Sequence, residues 1–171
     1  LFPHRGYSIE RIVAQTVLQA QGVFGVALSV MFTYVFLFVI FGAFLSATGA
    51  TRFIIDFAQS VFGASAGGPA KVAVLASALF GSISGSAVAN VVSTGTVTIP
   101  LMKKSGYTPV QAGAIEAAAS SGGQLMPPIM GATAFLLAEF LGLPYAQVAL
   151  AALVPIGLYY FCLLRSEERR V

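Results

Sequence analysis

Gly81-Ser-Ile-Ser-Gly-Ser-Ala-Val-Ala-Asn-Val-Val-Ser-Thr-Gly95 and Ser120-Ser-Gly-Gly-Gln-Leu-Met-Pro-Pro128 interrupt stretches that otherwise read as membrane-embedded helix. Hydrocarbon has no water to pair freed N–H and C=O groups, so unwound backbone persists there only when buried in protein or lining a polar cavity. Two breaks in neighbouring segments therefore point to an ion or solute site. The competing reading is tight helix packing, because Gly81 and Gly85 form the small-xxx-small pattern common at membrane helix contacts.

Around these breaks the composition is that of an integral membrane protein. Of the 171 residues, 57% are hydrophobic and 9% are charged, and the mean hydropathy is +0.88. No charged residue lies between Arg11 and Arg52, Lys71 and Lys103, Glu116 and Glu139, or Glu139 and Arg165. Each gap can hold a span of about 20 residues. The net charge of +3 comes from bases that flank apolar segments, as topology determinants do, so nucleic acid is not an expected partner. The single cysteine, Cys162, forms no internal disulfide and is read as a packing residue. The chain begins Leu1-Phe2-Pro3-His4, without a methionine or an evident signal peptide, which suggests a fragment of a longer chain.

The pattern predicts an all-α membrane fold in five segments. Residues 1–21 form an extramembrane connector, with Ser8 as an N-cap for a short helix through Gln21. Residues 22–63 hold a transmembrane helix from Val23 to Leu45 and an interfacial arm helix carrying Arg52 and Asp56. Residues 64–105 contain an apolar stretch of about 31 residues, roughly 46 Å as one helix, too long for a single straight span. Two short helices meeting at Ser84-Gly85-Ser86 make a re-entrant hairpin instead, with Lys71 at one end and Lys103 and Lys104 at the other. Pro100 is read as a kink or a helix end. Residues 106–142 form a broken helix: Thr108 caps it, Pro109 starts it, the break covers 121–126, and Pro127 and Pro128 restart it. Residues 143–171 hold a last transmembrane helix, Tyr145 to Leu164, and a charged tail. Lys71, Lys103, Lys104, Arg165, Arg169 and Arg170 then all fall on the cytoplasmic side.

The breaks offer recognisable chemistry. A helix start presents unpaired N–H groups and about half a positive charge to an anion, and a helix end presents carbonyls to a cation. Sodium favours several neutral oxygens, which places Ser84, Gly85, Ser86, Ser120, Ser121 and Gly122 among the candidate ion-binding residues. Asn90, Ser93, Thr94, Gln124, Pro127 and Pro128 are the candidate substrate-binding residues, Asn90 and Gln124 because an amide both donates and accepts. Glu116 and Glu139 are embedded acids, and Glu116 reads either as a proton or ion relay or as a structural hydrogen bond to a neighbouring helix. His4 lies outside the spans. The Gly-Ser segment lacks the lysine of a phosphate-binding loop and the G-x-S-x-G spacing of a nucleophile elbow, so no enzyme, cofactor or catalytic residue is expected.

Gly67-Gly-Pro-Ala-Lys-Val-Ala-Val74, Gly85-Ser-Ala-Val-Ala-Asn90, Thr98-Ile-Pro-Leu-Met-Lys103, Gly106-Tyr107, Glu116-Ala117, Ser121-Gly-Gly-Gln124 and Met126-Pro-Pro-Ile-Met-Gly131 occur in order along the chain. This string resembles the large membrane subunit of tripartite ATP-independent periplasmic (TRAP) transporters, in the fused permease form that works with TAXI-class binding proteins. The resemblance runs from Arg5-Gly6 through Tyr159-Tyr160. It implies a sodium-driven secondary transporter of the bacterial inner membrane, moving organic carboxylates by an elevator motion. It further implies three partners: a periplasmic substrate-binding protein, a small membrane subunit or its fused equivalent, and the remaining half of the permease. Such permeases contain two inverted repeats, and this chain carries one hairpin and one broken helix, so it is expected not to transport alone. The alternative is a channel or scaffold subunit whose glycines and serines only pack helices.

Overall fold

The computed structural model describes residues 6–19 and 22–168. Every regular element among them is helical. His4, Gln21, Arg169 and Arg170 lie outside the described residues.

Helix α1, Ile9–Val13, is capped by the Ser8 hydroxyl, which accepts the Arg11 N–H at 3.4 Å, and it continues as a π-helical turn over Ala14–Leu18. Helix α2, Val26–Ala47, has 22 residues, a mean hydropathy of 2.4 and only 6% of its apolar window buried. Its start falls later than the Val23 read from the sequence because the chain turns through Gly22–Gly25, the Gly25 N–H bonding to the Gly22 carbonyl at 3.0 Å. At 1.5 Å per residue α2 is about 33 Å long, enough to cross a hydrocarbon core. Its Phe32, Leu37 and Phe44 face outward, which suits lipid and not a water-soluble core.

Gly49, at φ 90, ends that helix and turns the chain into α3, Ala50–Phe62. Ile54, Ile55 and Ala58 of α3 bury against Val72, Ala76 and Phe80, while Arg52 and Asp56 on the other side are exposed. That division makes α3 amphipathic.

Helix α4, Gly68–Ser84, is the centre of the molecule, with 12 of its 17 residues buried. Ala70, Ala73, Val74 and Ala78 pack with Met102, Ala112, Ile115, Ala119, Ile156 and Tyr160, and the small side chains let three helices approach α4 closely. Helix α5, Ala87–Lys104, runs back along α4. Asn90 and Thr94 of α5 both reach Ser77 of α4, which requires the chain to reverse near Gly85. The two arms are about 26 and 27 Å long, each shorter than the roughly 30 Å hydrocarbon core. Pro100 lies inside α5, which continues past it to Lys104, so it does not end the helix. Lys103 and Lys104 are exposed as topology markers should be, but Lys71 is 7% exposed and belongs to the packed face of α4.

Helix α6, Pro109–Gly123, opens with a capping box: the Thr108 hydroxyl accepts the Gln111 N–H, and the Gln111 side chain accepts the Thr108 N–H. Helix α7, Ala132–Leu141, ends at Gly142, and α8, Tyr145–Glu168, is the second long apolar helix. The break between α6 and α7 is longer than the sequence reading and does not restart at the prolines. Pro127 and Pro128 donate no N–H, and a residue preceding proline is held out of helical geometry. The Ile129 N–H goes to Ser82 of α4 and the Gly131 N–H to Gln124, so a helical ladder begins only at Ala132.

Candidate functional site

The hairpin tip is built by chirality and capping. Gly85 closes α4 at φ 61, its N–H returning to the Gly81 carbonyl, and Ser86 caps α5 by accepting the Ala89 N–H at 3.3 Å. The tip rests on the loop after α6, so closely that a Cβ on Gly85 would lie 2.1 Å from the Met130 carbonyl oxygen. Beside this contact the Ser84 hydroxyl is buried and has no hydrogen-bond partner. A buried polar atom left unpaired is destabilising by about 1–3 kcal/mol.

The second break meets the first along its length. A Cβ on Gly81 would sit 2.4 Å from the Gly123 Cα, so α4 and the end of α6 touch backbone to backbone. The N–H groups of Gln124 and Leu125 both turn to the Gly122 carbonyl, and that of Met126 to Gly123. An uninterrupted helix would have aimed the first two at the carbonyls of Ser120 and Ser121. The loop contains a cis Pro127–Pro128 bond and holds Met130 at φ 59, and the Gly131 N–H closes it on the Gln124 carbonyl at 2.7 Å.

Helix α8 straps this break from outside. The Tyr159 and Tyr160 hydroxyls donate to the Ala118 and Ala119 carbonyls at 2.8 and 2.9 Å, just before the break. The Tyr145 hydroxyl reaches the Pro128 and Ile129 carbonyls within it. None of the three tyrosines was legible as a site residue, because the contact joins positions far apart in sequence.

One helical turn and more below the tip lies a buried polar cluster. Ser77, Asn90, Thr94, Thr98, Glu116 and Ser120 are each 0% exposed. Thr94 Oγ1 stands 2.5 Å and Ser77 Oγ 3.0 Å from Glu116 Oε1, Ser120 Oγ donates to the same oxygen at 3.3 Å, and Thr98 Oγ1 donates to Oε2 at 2.6 Å. Asn90 Nδ2 donates to the Ser77 carbonyl at 2.7 Å. Glu116 thus makes the structural hydrogen bonds that were one of its two readings. Ser77 and Thr98 escaped the sequence reading, although Asn90, Thr94 and Thr98 recur every four residues and mark one polar face of α5.

The remaining candidates separate. Ser84, Gly85 and Ser86 stay together at the tip, while Ser120 joins Asn90 and Thr94 around Glu116. Ser121 is exposed and back-bonds to the Ala117 carbonyl, and Gly122 packs on the rings of Tyr159 and Tyr160. Ser93 is half-buried on α5. Gln124 is exposed, and it lines an apolar cavity of about 460 Å³ with Met130, Thr133, Gln147 and Val148. Pro127 is half-buried and Pro128 exposed, both in the loop that Tyr145 holds. Among the described residues no group of histidine, cysteine and acidic side chains has the arrangement of a metal site.

Outward-facing apolar helices and two breaks locked together define a helical membrane protein built around discontinuous helices. A family model described as "Tripartite ATP-independent periplasmic transporter, DctM component" matches residues 2–166, and the chain belongs to this family of membrane transport proteins, which are not enzymes. It is 41% identical over 91 residues to the C4-dicarboxylate TRAP transporter large permease protein DctM of Pseudomonas aeruginosa, covering 53% of this chain and 21% of that protein. It is 30% identical over 146 residues to the 2,3-diketo-L-gulonate TRAP transporter large permease protein YiaN of Escherichia coli, covering 85% of this chain and 32% of that protein. A Salmonella typhimurium protein described as uncharacterized, YgiK, is 36% identical over 118 residues, covering 69% of this chain and 27% of its own length. The chain therefore spans a third or less of these relatives. No solved structure matches it.

Proposed function

We propose that this chain forms one ion-binding and substrate-binding half of the large permease of a sodium-driven TRAP transporter in the bacterial inner membrane. In this reading the permease is multi-pass, α4 and α5 make a re-entrant hairpin with its open end toward the cytoplasm, and a second repeat completes the cleft. A periplasmic binding protein, of the TAXI class by the motif string, delivers the substrate, and a small membrane subunit or its fused equivalent completes the assembly. Relatives are described as permeases for C4-dicarboxylate, isethionate and sialic acid, all acids, so the substrate class is a small organic anion.

The observation that carries this reading is the partnerless, buried Ser84 hydroxyl at the point where α4 ends and α5 begins. Neutral oxygens suit sodium: the Ser84 hydroxyl and the end carbonyls of α4 would hold the ion. The Ser86-capped start of α5 presents the opposite end of a helix dipole to an acid group. Sodium when bound would couple its own gradient to the uptake of the anion.

The test is uptake by the permease that contains this segment, reconstituted in liposomes with its partner subunits and binding protein. Labelled C4-dicarboxylate, isethionate and sialic acid are offered in parallel. Accumulation of at least one only under an inward sodium gradient, and only with the binding protein, supports the reading. Accumulation that ignores sodium would sink it.

A further inference from the structure

Glu116 is the most deeply buried acid whose surroundings are fully described, and the ion-binding reading above makes no use of it. Its carboxyl takes hydroxyl hydrogen bonds from three helices: Ser77 on α4, Thr94 and Thr98 on α5, and Ser120 on its own α6. The cluster closes tightly on the carboxyl: Thr94 Oγ1 stands 2.5 Å from Glu116 Oε1, and Gly95 presses on the Glu116 side chain, a Cβ there lying 3.2 Å from Cγ. Six wholly buried polar residues thus tie three helices together at one carboxyl.

We propose that Glu116 is a positioning residue that clamps the α4–α5 hairpin to α6, so that the hairpin tip and the α6 break are carried as one body. This rests on the transport reading above and deepens it. Asn90, Thr94 and Ser120 then serve the clamp and set the placement of Ser84 without contacting ion or substrate. The clamp works by hydrogen-bond shape. A glutamine at 116 would keep one acceptor for Thr94, Ser77 and Ser120, and its amide would donate to Thr98 Oγ1. The Thr98 proton has another acceptor waiting, the Thr94 carbonyl at 3.0 Å.

The experiment uses the permease that contains this segment, with native cysteines removed and nitroxide labels at Val92→Cys on α5 and Ala117→Cys on α6, both outward-facing. Pulsed dipolar spectroscopy reads the distance between α5 and α6, and reconstituted uptake reads the sodium concentration for half-maximal rate. Glu116→Ala is expected to broaden the distance distribution and to raise that concentration by about tenfold, as a small misplacement of a binding group does. Glu116→Gln is expected to keep both close to the unsubstituted permease. Thr98→Val gives a milder form of the alanine result should Glu116→Ala fail to fold. A narrow distribution in Glu116→Ala, or a broadened one with unchanged sodium dependence, overturns the proposal, as does a glutamine variant that behaves like alanine. Should the unsubstituted permease show no sodium dependence, the transport reading fails, and the distance arm alone then decides the clamp.

Discussion

The hairpin tip reverses the chain with Gly85 and Ser86 alone, whereas the break between α6 and α7 takes residues 124–131 to redirect it. The tip depends on one left-handed glycine and one cap, and it leaves the Ser84 hydroxyl unpaired. The longer break is pinned from α8 by Tyr145, Tyr159 and Tyr160, and it closes on itself through Gly131 and Gln124. A short turn at a helix end exposes oxygens to a ligand; a long loop at membrane depth must first satisfy its own backbone. On the reading proposed above, the tip is the binding element and the longer break its support.

Substitutions separate the two. Gly85→Val should have the largest effect, a loss of about 4 kcal/mol, because it combines a branched side chain at positive φ with a collision on the Met130 backbone. Unfolding in mixed micelles reads this directly. A loss below about 1 kcal/mol would mean the tip is not seated as described. Gly81→Ala should lose about 2 kcal/mol, since its methyl meets the Gly123 backbone, while Gly113→Ala on α6, with nothing within 4 Å, should be neutral or stabilising.

The supporting break responds more weakly. Tyr145→Phe removes the hydroxyl that bonds the Pro128 and Ile129 carbonyls, so a loss of about 1.5 kcal/mol is expected. Hydrogen exchange at Ile129 and Gly131 should quicken while the Gly85 amide stays protected. Equal quickening at Gly85 would show that the two breaks are not held separately. Thr108→Ala, at the far end of α6, should lose about 1 kcal/mol of helix capping and leave exchange at both breaks unchanged.

Much of this was legible from the residues. The charge-free gaps located α2 and α8, Gly85 and Ser86 located the tip, and Thr108-Pro109 located the start of α6, because spans, caps and turns are local in origin. The length of the second break was not legible: Ile129 spends its N–H on Ser82 of another helix, and no local rule announces that. The face of α6 was equally hidden. Ser120, Ser121 and Gly122 are adjacent in sequence, but a helix turns them to Glu116, to the outside and to the tyrosines of α8 respectively. Glu116 was noticed as an embedded acid, yet Ser77, its partner on α4, carries no distinguishing pattern in a segment rich in serine and alanine.

Ser84→Ala asks whether the partnerless Ser84 hydroxyl belongs to a cation site. The measurement is thermal stability of the intact permease in detergent, titrated with sodium at constant ionic strength against potassium. Without sodium the variant should match the unsubstituted protein or exceed it by up to about 1 kcal/mol, because an unpaired buried hydroxyl has been removed. The rise in stability with sodium, present in the unsubstituted protein and absent with potassium, should be lost in the variant. A Ser84→Ala protein that keeps the full sodium-dependent rise would contradict the account.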